Sequence, residues 1–151
     1  MKKITIMLVV SGVLLLGLLG CSSKKSMEEK DVIGLNTLKK AQKIEKIDAK
    51  SKKVMHTIKK AEDIETFIEN LDLDKDEWTI ASDTPENLEE KYIYRYYMAP
   101  TIKNGEENKK QELEKVLDLV TYGDKNYATL KIEEVSVTFK IPDGAMVYLN
   151  R

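Results

Sequence analysis

The chain is poor in the residues that usually brace or activate a small protein. Its 151 residues include one cysteine, one histidine, one tryptophan and three prolines. A lone cysteine, Cys21, can close no intrachain disulfide, so the fold must rest on an apolar core. A lone histidine, His56, leaves no Cys–His pair and no cluster for zinc, which draws its ligands from several such groups. His56 reads instead as a half-exposed strand residue. An excess of one charge is missing too, with 25 basic and 26 acidic side chains and a formal net of −1. That balance excludes the broad electrostatic attraction on which nucleic-acid binding depends. No internal repeat and no low-complexity tract interrupts the chain.

The start of the chain is the most specific feature present. Lys2 and Lys3 precede an uncharged run from Ile4 to Gly20, and a polar Ser22-Ser23-Lys24-Lys25 follows Cys21. A positive start, an apolar middle and small residues before a cut are the layout of a secretory signal peptide. A permanent membrane span is the rival, but a helix needs about 20 apolar residues to cross the hydrocarbon. Gly12, Gly17, Thr5 and Ser11 weaken this shorter run further. The ending Leu18-Leu19-Gly20-Cys21 resembles the lipobox of bacterial lipoproteins, and the general layout is similar to small surface lipoproteins of Gram-positive bacteria. The resemblance implies cleavage between Gly20 and Cys21, lipidation of the Cys21 thiol, and a mature protein held on the extracytoplasmic face of the cell membrane. Two acyl chains suffice for stable anchoring without help from basic residues. Lys2 and Lys3 would leave with the signal, so 23 basic and 26 acidic side chains would remain, a formal net of −3. Anionic lipid should slightly repel such a chain taken as a whole.

Three regions follow: residues 1–20 as the signal, 21–38 as a polar tether, and 39–151 as a single globular domain. Gln42–Asp48 and Val54–Ile58, joined by Lys50-Ser51-Lys52-Lys53, predict a hairpin, with a helix from Leu35 to Ile47 as the rival. Ile64, Phe67, Ile68 and Leu71 recur at helical spacing and predict the main helix over Ala61–Leu71. Thr84-Pro85-Glu86 suits one capped helical turn. Tyr92–Met98 predicts a strand of high β propensity. Lys115–Tyr122 and Tyr127–Ile132 predict a hairpin about Gly123, although Leu113, Val116, Leu117 and Val120 also fit a helix. Val135–Ile141 alternates, and Pro142-Asp143-Gly144 should turn it into a last strand, Met146–Leu149. The expected architecture is an α+β domain, a mostly antiparallel sheet of about five to seven strands packed by one main helix.

Catalytic constellations are hard to find. Asp72-Leu73-Asp74-Lys75-Asp76-Glu77 begins like a calcium loop, but Glu77 stands where the sharp turn wants glycine and Asp83 where a bidentate glutamate belongs. No serine is framed by glycines as in a nucleophile elbow. Glu89-Glu90, Glu106-Glu107 and Glu133-Glu134 carry no sign of the burial that would raise a catalytic carboxyl. No metal or cofactor is therefore expected. Aromatic residues offer more: Tyr92, Tyr94 and Tyr96 share one strand face, opposite Ile93, Arg95 and Tyr97. One face should lie under the main helix, and the other should present rings to a partner. Tyr94, Tyr96 and Trp78 are the candidate contact residues. The functional expectation is a lipid-anchored binding protein without catalytic activity, with the membrane and a protein or peptide as partners and no nucleic acid. A surface immunity or sequestering factor against a peptide and a small hydrolase of unfamiliar site are the alternatives.

Overall fold

The computed structural model describes residues 34–75, 77–100 and 112–151. The signal segment, Cys21 and the expected tether as far as residue 33 lie outside them. In chain order the elements are α1 (Leu35–Leu38), β1 (Lys43–Asp48), β2 (Val54–Ile58), α2 (Ala61–Glu69), β3 (Thr79–Ile80), β4 (Tyr92–Met98), β5 (Glu114–Tyr122), β6 (Lys125–Ile132), β7 (Val135–Lys140) and α3 (Asp143–Leu149). The strands form one seven-stranded sheet in the order β2-β1-β4-β5-β6-β7-β3, and every pairing is antiparallel. The fold class is α+β, as expected.

Strand alternation sorts the sheet into two faces. Ile44 of β1, Tyr94 and Tyr96 of β4, Leu117 and Leu119 of β5, Leu130 of β6 and Phe139 of β7 share the face that builds the main core. The main helix α2 lies on that face because Ile64 and Phe67 recur on one of its sides, with Leu71 buried just beyond its end. Glu62 and Asp63 occupy its first turn, where negative charge suits the helix dipole. The Phe67 ring packs 5.2 Å from Tyr94 and 5.6 Å from Tyr148, centre to centre. Leu35 and Leu38 of α1 and Ala145 and Leu149 of α3 complete the same core.

Three sequence expectations need correction. Residues 143–149 form a helix rather than a last strand. Ala145 and Leu149, four apart, are both fully buried, and Asp143 sits in the first turn after an extended Pro142. A four-residue apolar run such as Met146–Leu149 fits either period, and the helix wins because its (i, i+4) face meets the sheet. The expected turn of helix at Thr84-Pro85-Glu86 is irregular backbone with a turn at Glu86-Asn87. The domain also begins before residue 39, since Leu35 and Leu38 are core residues. Gly34 starts α1 with φ +79°, and a Cβ there would approach Ile132 Cδ1 to 2.5 Å. The left-handed backbone favours glycine, and any Cβ there would also require the Ile132 side chain to shift.

Candidate functional site

On the face without helices, β1, β4 and β5 carry a strip of paired charges. Lys43 and Glu45 are two apart on β1 and thus share a side, with Nζ to Oε1 at 2.8 Å. The Tyr97 hydroxyl donates to Glu45 Oε2 at 2.6 Å, and Lys43 Nζ stands 3.9 Å from the Tyr97 ring centre. Arg95 grips Asp118 with Nε to Oδ1 at 2.9 Å and a second contact to Oδ2 at 3.2 Å. Lys115 adds a bond to Asp118 Oδ2 at 2.9 Å. Nearer the other end of the strands this face turns apolar, with Ile47, Ile93, Val120 and Tyr122 packed beneath Leu88.

The electrostatics of the strip make its groups poor acid–base catalysts. Burial by itself would raise the Asp118 carboxyl, but bonds from Arg95 and Lys115 hold it below its ordinary value. Glu45 follows the same pattern, with burial opposed by bonds from Lys43 and Tyr97. Burial and the bond to Glu45 push the Tyr97 hydroxyl upward. A general base works best with a pKa near the operating pH, and these shifts lead away from it. The strip therefore fixes strands to one another.

Trp78, Tyr94 and Tyr96 are not on a contact surface. All three belong to the main core, with exposures of 3%, 3% and 0%. Trp78 Nε1 donates to the Leu71 carbonyl at 2.7 Å and its ring packs against Phe139. The Tyr94 hydroxyl donates to the Leu149 carbonyl at 2.6 Å, tying α3 to the sheet. Tyr96 points its hydroxyl into the core with no hydrogen-bond partner among the described residues. The helix-free side presents one β4 ring, Tyr97, half-buried and held by Glu45 and Lys43. His56 is exposed on β2. Among the described residues no group of three or more His, Cys, Asp or Glu could hold a metal ion.

Two concave regions remain. One, of about 490 Å³, lies by Tyr92, Tyr122 and Gly123, where Asp48, Lys91 and Asp124 give a mixed charged lining. The other, of about 550 Å³, is an open groove beside α2. Ala41, Ile64, Ile68 and Leu73 form its apolar floor, and Glu65 and Glu69 stand on its rim. These glutamates are one turn apart on α2 and make no ion pair among the described residues. Their (i, i+4) spacing is visible in the sequence; the position of Lys39 and Ala41, which line the groove just after α1, is not.

No protein-family model matches this chain, and neither curated proteins nor solved structures give a significant match.

Proposed function

We propose that this protein is a lipid-anchored binding module on the extracytoplasmic face of the cell membrane, acting without catalysis on a protein or peptide partner. The anchor rests on Leu18-Leu19-Gly20-Cys21, behind Lys2, Lys3 and an uncharged run. Residues 22–33 would join it to Gly34, a reach of roughly 40 Å at full extension. No helix among the described residues is long and apolar enough to cross a membrane.

One observation carries the recognition half of the reading: the groove beside α2 joins an apolar floor to Glu65 and Glu69, which make no ion pair among the described residues, while its two lysines, Lys39 and Lys75, are paired with Asp74 and Asp72. Pockets that combine apolar walls with a few oriented polar groups are the usual ligand sites of small proteins. The matching ligand is a peptide segment with an apolar side chain flanked by basic ones. A test is fluorescence titration of the full chain with an amphipathic basic peptide and with its acidic twin. The basic peptide should bind, and Glu65→Lys with Glu69→Lys should reverse the preference. Equal binding of both peptides, or none, sinks the recognition half. Mass spectrometry of the mature N-terminal peptide tests the anchor, which fails if Met1 is retained or Cys21 is unmodified. The same groove supports the alternative of a factor that sequesters a peptide. Deleting the protein would then sensitise cells to that peptide, whereas a binding module of another role predicts no change.

A further inference from the structure

We propose that the open β2 edge of the sheet docks on an anionic lipid surface and sets how the domain sits on its bilayer. The inference rests on the anchored reading above, because the tether is what keeps this edge within reach of lipid. A near-neutral total conceals a marked separation of charge along the chain. Lys50–Lys60 holds five lysines and no Asp or Glu, whereas Ala61–Glu77 holds eight acidic residues and one lysine. In the fold the first of these is the β2 edge and the second is α2 with the loop that follows. Within Lys50–Glu77 the basic side chains are thus gathered on a sheet edge, with Lys50 paired to Glu89.

That edge has the make-up of an interfacial surface. Val54 and Met55 are 52% and 57% exposed. Lys52 and Lys53 precede them, and Lys59 and Lys60 follow the strand. All four lysines are exposed and make no ion pair among the described residues. Apolar side chains between free lysines suit the headgroup boundary, where the rings of charge meet phosphate and the apolar groups enter shallowly. Strand addition by another protein fits less well. The β1–β2 register slips between Lys46 and Ile47, leaving Met55 as an extra residue on β2, and a bulge with flanking lysines is how edges resist pairing. A second copy is disfavoured for a further reason. Antiparallel self-pairing about His56 would set Lys53 opposite Lys59 of the other copy, like charge against like.

The reach closes as well. Gly34 packs against Ile132 at the end of β6, and β6 stands four strands from β2. At about 4.8 Å per strand this is about 20 Å, well inside the tether's span.

The test uses the native protein purified from membranes, its Cys21 peptide checked by mass, in lipid nanodiscs bearing a spin-labelled headgroup. One set of discs is phosphatidylcholine alone, and the other contains phosphatidylglycerol. In the anionic discs the amides of Lys52–Lys60 should broaden selectively; in the neutral discs they should not. Reversing Lys52, Lys53, Lys59 and Lys60 to glutamate should abolish the effect, and each single reversal should weaken it about fivefold or more. At 1 M salt, where the screening length is about 3 Å, it should vanish. Equal broadening in both discs, or broadening centred on another surface such as Val135, overturns the proposal. If Cys21 proves unmodified, the anchored reading fails by itself. The same protein mixed with vesicles of the two compositions then tests the edge independently: selective sedimentation with phosphatidylglycerol supports docking, and its absence overturns it.

Discussion

Along β4, Tyr94 and Tyr96 point toward α2 and α3, whereas Arg95 and Tyr97 point to the side that no helix covers. The first pair takes part in a core of aliphatic and aromatic groups. The second is held by carboxylates on the adjacent strands. Burial of apolar area involves no titrating group and is not screened by salt, while half-exposed ion pairs titrate and are screened. A single strand therefore couples a robust layer to a condition-dependent one. The contrast shows two supports for one register: the buried apolar face specifies it, and the ion pairs between β4 and β5 reinforce it.

Substitutions on each side should separate the two. Phe67→Ala removes the ring at the centre of the helix-covered core and should cost about 3–5 kcal/mol in urea unfolding. A loss no larger than that of a surface change would mean that α2 is not packed as described. On the bare side, Asp118→Asn should cost about 1–3 kcal/mol, since it weakens bonds to both Arg95 and Lys115. The sign with pH is fixed. A carboxyl lowered in the folded state contributes stability that is complete above its ordinary value of 3.8 and is lost as pH falls through the lowered native value. Unfolding midpoints measured into acid should therefore fall less steeply for Asp118→Asn than for the wild type; parallel curves would refute the linkage.

Tyr96→Phe sharpens the comparison from within the core. Removing a buried hydroxyl that has no partner among the described residues should leave stability unchanged or raise it by about 1 kcal/mol. A clear loss would reveal a buried water or another acceptor at that hydroxyl. The smallest effect belongs to Lys131→Ala, whose ion pair with Glu90 is part-exposed; calorimetry should find a change within about 0.5 kcal/mol.

Much of the apolar layer was legible in the sequence. The spacing of Ile64, Phe67, Ile68 and Leu71 announced α2, and the β-branched and aromatic content of Tyr92–Met98 announced β4. The last helix was missed because Met146–Leu149 is too short to favour one period over the other. Tyr94 and Tyr96 belong to the core rather than to a contact surface for a different reason. Alternation shows which residues share a face, but not which face a helix will cover. The charged strip is latent in Lys43–Glu45 and in Arg95, yet Asp118 meets Arg95 only through the pairing of β4 with β5. The groove is not legible in the sequence because Lys39 and Ala41 are separated from α2 along the chain by a whole hairpin.

The order of the strands has a consequence for how the protein comes into being. β1 lies between β2 and β4, so a chain emerging N-terminus first must carry a hairpin with one flank empty until Tyr92–Met98 arrives. Such long-range closures are slow compared with the hairpins from β4 to β7. During that wait the nascent chain exposes Ile44 and Ile47 to other molecules. The interval before β4 arrives is when it is most open to aggregation and proteolysis.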